Sequence, residues 1–334
     1  MMRMGDRQLM IRSLLFLLLV SIVGLLAIAP CSHGLNPKPD DQLPSLVTTS
    51  TQLKYHNGPL LTGPTINIYL IWYGPFSLTN RTIISNFFAS LDPSTAHSLR
   101  RQPTVSTWWA TAKSYKDATG KPVSGSVKLA REVGDVNYSR GKNIKRADIA
   151  ILVKNAIAQK AFPVDPTGIY FVLTAADVTV EKFCMGSCGF HDSFMVSPTE
   201  RVVYAHVGDP HAQCPSLCAW PYAVPSYGPP GPALVAPNSV GMDAMVVNIA
   251  TVLAGAATNP LKTGYFQGDA LAPLEAVTAC PGIFGADAYP GYPGKLMVDQ
   301  ASKGSFNVYG AEGRMFLVPG MWDPLSLTCK VVVA

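Results

Sequence analysis

Thr65-Ile66-Asn67-Ile68-Tyr69-Leu70-Ile71-Trp72-Tyr73 is the stretch on which the reading of the fold turns. Ile66, Ile68, Leu70 and Trp72 recur at every second position with polar or aromatic partners between them, and a period of two is that of a β-strand. Helical spacing takes over downstream. Asn80 is placed to cap a segment through Leu91 that carries Ile83, Ile84, Phe87 and Phe88. Residues 103–117 repeat the pattern with Val105, Trp108, Trp109 and Ala112, and residues 147–161 with Ile149, Leu152, Val153 and Ile157. The apolar runs 169–174 and 201–207 read as buried strands. Residues 210–237 are dense in Pro and Gly and read as loop, and residues 240–257 form the longest apolar helix, stopped by Thr258-Asn259-Pro260. Further strands are expected near 306–309, 314–318 and 330–333. The sum is a mixed α/β (α+β) layered globular domain. No internal repeat is present that would make a solenoid or a propeller.

At the N-terminus, Arg3, Arg7 and Arg12 precede an apolar stretch from Leu14 to Ala29, closed by Pro30 and the small residues Ser32 and Gly34. That pattern predicts a secretory signal peptide over 1–34, followed by an extended, Pro/Ser/Thr-rich leader over 35–54 and one domain over 55–334. No membrane span is expected after cleavage. Of the seven cysteines, Cys31 lies in the signal region, which leaves Cys184, Cys188, Cys214, Cys218, Cys280 and Cys329. An even set in an oxidising compartment predicts three disulfides. The most local pairing joins Cys184 to Cys188, Cys214 to Cys218 and Cys280 to Cys329, and cross-linking of the two short loops is the alternative. The sequons at Asn80 and Asn137 predict glycosylation on the same route. Removal of 1–34 takes away three Arg and one Asp and lowers the net charge from +5 to +3. Such a mild balance gives no footprint for nucleic acid, and Lys142, Lys145 and Arg146 read as one solvated helix end. It is still compatible with an acidic wall polysaccharide.

Six segments together resemble the plant EXORDIUM family, also known by its phosphate-induced protein region. They are Tyr55-His56-Asn57-Gly58-Pro59-Leu60-Leu61, Ile68 through Gly74, Pro103-Thr104-Val105-Ser106-Thr107-Trp108-Trp109, Phe183-Cys184-Met185 through Cys188-Gly189, Gln213-Cys214-Pro215 through Pro221, and Gly264-Tyr265-Phe266-Gln267-Gly268. The resemblance implies an apoplastic, cell-wall-associated protein that promotes cell expansion downstream of brassinosteroid and adjusts growth to carbon supply. It implies no enzymatic activity and no cofactor, and it leaves the partner, a wall polysaccharide or an extracellular protein, unnamed.

A more distant resemblance is to secreted zinc peptidase-like proteins. Cys188-Gly189-Phe190-His191, a long helix ending Thr258-Asn259-Pro260, Gly264-Tyr265, and Glu275 with Cys280 follow their order. A zincin needs two His one helical turn apart to hold the metal and a Glu to deprotonate its water. Here Thr251 and Val252 stand where the His and the Glu would sit, and neither Thr251 nor Gly255 offers a metal ligand. The resemblance thus implies a degenerate zincin-like scaffold kept for binding, with no metal.

Other chemistry is weighed residue by residue. Thiolates near His191, His206 and His211 are expected to be oxidised and lost as zinc ligands. His191-Asp192-Ser193 are neighbours and cannot form a triad, which draws its members from distant positions. His191, Asp243 and Glu275 are the candidates for one cleft, with Asp243 and Glu275 the only pair put forward as glycosidase carboxylates and a capping role the competing assignment for each. Trp108, Trp109, Trp220, Tyr222, Tyr227, Tyr289 and Tyr292 lie in Pro/Gly-rich loops or on a helix, and aromatic faces on rigid loops are what sugar-binding surfaces use; core packing is the favoured assignment for the tryptophans, whereas the tyrosines of Tyr289-Pro290-Gly291-Tyr292-Pro293-Gly294 are less easily buried.

Overall fold

The computed structural model describes residues 52–94, 101–229 and 231–333. The signal peptide and nearly all of the leader expected from the sequence lie outside the described residues.

The centre is a five-stranded sheet: β1 (Ile66–Tyr73), β2 (Val127–Asp135), β3 (Ile169–Thr174), β4 (Gly189–Met195) and β5 (Arg201–Gly208), in the order β2-β1-β3-β5-β4. The first three and β5 are parallel, and β4 runs antiparallel to β5 along one edge. Three principal helices cover it: α1 (Leu78–Ala89), α2 (Arg146–Ala158) and α3 (Val240–Thr258). Alternation along β1 decides what goes where. Ile66, Ile68, Leu70 and Trp72 point to the face packed by Ile83, Ile84, Phe87 and Phe88 of α1 and by Met242, Met245, Val246 and Ile249 of α3. Tyr69, Ile71 and Tyr73 point to the opposite face, against Ile149, Leu152 and Val153 of α2. The sheet is therefore sandwiched in an α/β/α arrangement, which is why Tyr69, Ile71 and Tyr73 of β1 are buried along with the even positions.

Helix α3 is long and apolar enough to cross a membrane by composition, yet 83% of its apolar window is buried inside the fold. Ser239 caps it, its hydroxyl accepting from the Met242 N–H at 3.3 Å. Helix α1 is capped by Ser77, whose Oγ accepts from the Asn80 N–H at 3.1 Å, so Asn80 sits inside the first turn and is not the cap. The second expected helix, over 103–117, divides into a turn at Val105–Trp109, capped by Thr104, and a 3-10 turn at Ala110–Ser114. The C-terminal third consists of short antiparallel pairs, among them Met321–Asp323 with Thr328–Lys330. Trp108 anchors this region to the core by donating from Nε1 to the Pro319 carbonyl at 2.7 Å.

All six described cysteines are bridged: the expected Cys280–Cys329 bond forms, and the two short loops are cross-linked to each other in place of closing locally. The bonds are Cys184–Cys214, Cys188–Cys218 and Cys280–Cys329. Cys214 and Cys218 flank one helical turn, the Cys218 N–H donating to the Cys214 carbonyl at 3.0 Å. Residues four apart on a helix have Cβ atoms about 5–6 Å apart, beyond the ~3.5–4.5 Å a disulfide spans. The two sulfurs instead lie along one face and each reaches a cysteine of the loop before β4.

Two buried titratable groups set opposing pH dependences. His206 on β5 accepts or donates through Nε2 to the Thr174 hydroxyl at 3.0 Å, and burial, with the Arg146 charge second, lowers its pKa from 6.5 to about 3. Its stabilisation is complete above the unfolded value of about 6.5 and is lost as pH falls towards 3. Asp243 is raised by burial from 3.8 to about 6, although donors on Asn238 and Ser239 favour its charged form. Its contribution is complete below 3.8 and is lost as pH rises through about 6. Asp243→Asn should therefore steepen the loss of stability between pH 7 and pH 5 by about 1 kcal/mol. Urea unfolding of both proteins at the two pH values checks this, and an equal or shallower loss in the variant would refute the assignment.

Candidate functional site

His191 and Glu275 meet. His191 stands on the edge strand β4 and Glu275 in the loop beyond α3, and His191 Nε2 lies 2.9 Å from Glu275 Oε1 and 3.1 Å from Oε2. Asn259, at the end of α3 and fully buried, fixes the carboxylate by donating from Nδ2 to Oε1 at 2.7 Å, while its own Oδ1 accepts from the Gly264 N–H at 2.8 Å. The Asn259 that stops the helix thus also positions Glu275. His191 Nδ1 is buried with no partner among the described residues.

Space for this pair is made by Gly255. A Cβ there would lie 2.4 Å from Glu275 Oε2 and 3.3 Å from His191 Nε2, inside van der Waals contact of the carboxylate. Thr251 and Val252, one turn earlier on α3, line the same cleft, and the Thr251 hydroxyl is turned back onto the Val247 carbonyl at 2.9 Å. The helix turn where a zincin carries its ligands therefore presents a methyl-bearing alcohol, an isopropyl group and a bare Cα. Among the described residues, no three His, Cys, Asp or Glu side chains gather in an arrangement that could hold a metal ion.

The cleft around the pair has a volume of 490 Å³. Its charges are Arg146, Lys182 and Lys262 against Asp192 and Glu275. Asp192 is engaged by Lys262, Nζ to Oδ2 at 3.0 Å, and Glu275 by His191 and Asn259. Arg146 lies over the Phe190 ring at 4.2 Å and donates from Nη2 to the Ser187 hydroxyl at 3.2 Å. Neither it nor Lys182 forms an ion pair among the described residues, so the carboxylates are satisfied internally and positive charge is left over at the rim. Met185 and Leu271, 81% and 85% exposed, add an apolar border.

Asp243 does not join them. It is buried in the first turn of α3, where its carboxylate accepts from the Asn238 and Ser239 N–H groups at 2.8 and 3.1 Å and from Asn238 Nδ2 at 2.7 Å. It caps the loop entering the helix, and the Asp243–Glu275 carboxylate pair is withdrawn. His206 is sealed in the sheet and His211 pairs with Asp209 at 2.9 Å, so neither shares a site with His191. Asn137 is exposed and Asn80 half-buried. Arg146, Lys182, Asp192, Lys262 and Asn259 come to the cleft from four separate segments; Arg146, Asp192 and Asn259 stood out in the sequence for other reasons, and Lys182 and Lys262 carried no signal.

The scaffold is α/β/α, and its long helix skirts a cleft that holds the His191–Glu275 pair. The family model for the phosphate-induced protein 1 conserved region matches residues 53–332. Protein EXORDIUM of Arabidopsis thaliana is 46% identical over 288 residues, covering 84% of this chain and 89% of that protein. Protein EXORDIUM-like 2 of the same plant is 44% identical over 285 residues, covering 84% and 90%, and Protein PHOSPHATE-INDUCED 1 of Nicotiana tabacum 43% over 286 residues, covering 84% and 88%. The chain belongs to the EXORDIUM / phosphate-induced protein 1 family. None of these names denotes an enzymatic activity. No solved structure matches the chain.

Proposed function

We propose that the protein is secreted to the plant apoplast and promotes cell expansion there, downstream of brassinosteroid and in step with carbon supply, by binding a wall component without catalysis. The observation that carries the reading is the state of the cleft. Its carboxylates are held by Lys262, His191 and Asn259, the Thr251 hydroxyl on its helix turn is bonded to the Val247 carbonyl, and Arg146 and Lys182 remain to meet an anionic group. Arg and Lys at a partly desolvated cleft favour carboxylate or sulfate partners. Acidic wall polysaccharide is the first ligand to test and an acidic segment of an extracellular protein the second. Three disulfides agree with an oxidising compartment.

The loss of the Asp243–Glu275 pair weakens the hydrolase alternative, because a glycosidase of the usual kind needs two carboxylates flanking the bond. Purified protein applied to an array of acidic and neutral wall oligosaccharides, alongside a hydrolase panel, tests the reading. Salt-sensitive retention on acidic fragments with no released sugar is expected. Turnover that disappears in Glu275→Gln would overturn it.

A further inference from the structure

A second concavity, of 460 Å³, opens among the proline- and glycine-rich loops. Its walls are Trp220, Tyr227 and Tyr289 interleaved with Pro229, Pro281 and Pro290. Among the described residues, no charged, amide or aliphatic-hydroxyl side chain lines it. Tyr227 is 81% and Tyr289 65% exposed, unusual for rings of this size on a domain whose other aromatics are mostly buried.

The surface is held in shape. Trp220 packs on Phe284 at 5.6 Å between ring centroids. Tyr289 packs at a tilt on Tyr292, 5.0 Å between ring centroids, across a tight turn whose N–H groups and carbonyls exchange hydrogen bonds at 3.0 and 2.8 Å. Gly291, at φ +88°, touches the neighbouring loop so closely that a Cβ would meet Pro229 Cβ at 2.9 Å. The two aromatic loops are thereby locked together, and little order has to be created on binding.

What this surface offers is narrow. It presents flat aromatic faces and three polar tips, Trp220 Nε1–H and the hydroxyls of Tyr227 and Tyr289, which have no hydrogen-bond partner among the described residues and are not sealed from solvent. A charged ligand would lose hydration without gaining a counter-charge. A neutral sugar presents hydroxyls that need many directional acceptors as well as donors, and among the described residues of the walls the side-chain acceptors are the Tyr227 and Tyr289 hydroxyls, with no Asp, Asn, Glu or Gln. A polyproline II segment asks for the complement: its proline nitrogens have no hydrogen to donate, its carbonyls accept, and its rings stack on aromatic grooves. We propose that this groove binds a proline-rich segment of a partner protein in the polyproline II conformation, by a surface separate in its residues from the His191–Glu275 cleft.

Titration of the full chain with synthetic decaproline, followed by calorimetry and by Trp fluorescence, tests this, with cellohexaose as the neutral-sugar control. Saturable one-to-one binding of decaproline is expected. The Tyr227→Ala/Tyr289→Ala variant should weaken it about tenfold or more with unchanged melting, because both rings are exposed, while Tyr289→Phe, which keeps the stacking face, should lose less. Absence of saturable decaproline binding, equal affinity in the double variant, or occupation of the groove by cellohexaose would each overturn the proposal.

Discussion

Gly255→Ala is expected to destabilise the protein by about 2–4 kcal/mol, a large effect for the addition of one methyl group. The new Cβ would stand 2.4 Å from Glu275 Oε2, so the carboxylate has to move. Moving it removes the partners of two buried groups at once, Asn259 Nδ2 at 2.7 Å and His191 Nε2 at 2.9 Å. His191 would then be buried with both ring nitrogens unpaired, since Nδ1 has no partner among the described residues to begin with. Adding Glu275→Ala to Gly255→Ala removes the clash, and the double variant should be markedly less destabilised than the sum of the two singles. Thermal and urea unfolding of all three measure this. Strict additivity would mean that Gly255 and Glu275 do not compete for the same space.

The second large effect lies on the same helix. Ile249 is fully buried between α3 and the sheet, and Ile249→Ala should cost about 2–5 kcal/mol through the cavity it leaves, with a matching fall in yield of folded protein. Thr251→Ala, two positions on, removes one hydroxyl bond to the Val247 carbonyl and should cost under about 1 kcal/mol, leaving growth promotion nearly intact. Melting, yield and growth rescue of the two variants are the measurements. If Thr251→Ala melts normally and abolishes rescue, the helix acts directly on the ligand and is more than scaffold.

Strands β3 and β5 and helix α3 were legible because each is enclosed by other elements, and enclosure leaves an apolar run or a continuous apolar stripe in the sequence. The two edge strands were not. In β2, Lys128, Ala130, Arg131 and Glu132 face solvent, and β4 contains His191, Asp192 and Ser193 within seven residues, so neither carries the alternation of a half-buried strand. The disulfide pairing was hidden for a different reason: nearness in sequence ranks Cys214 with Cys218, whereas a single helical turn holds their sulfurs apart.

Legibility of the site divides along the same line. His191 and Glu275 were reachable because their order relative to the long helix matches that of zinc peptidase-like proteins, and the structure brings them into contact. Asp243 carried two readings, acid or cap, and a carboxylate in the first turn of a helix lies where N–H groups need an acceptor, which is the role it has. Arg146 read as a solvated helix end because it falls in one basic run with Lys142 and Lys145, which are exposed in the structure; the Phe190 ring of β4 lies against its guanidinium at the cleft. Contacts between segments so far apart are products of the tertiary fold and leave no local trace.

The central claim, that growth promotion runs through binding at the rim of the His191–Glu275 cleft, is tested most directly by growth rescue with a rim variant that leaves the fold alone. Lys182 and Leu271 are both exposed and line the cleft, so Lys182→Glu/Leu271→Asp reverses a charge and removes apolar border at little cost in stability. Elongation rate in plants lacking the endogenous protein, measured against the wild-type chain secreted at equal level, should fall to that of the unrescued line while the melting temperature of the variant stays unchanged. Full rescue by the variant would place the activity elsewhere on the molecule and contradict the account.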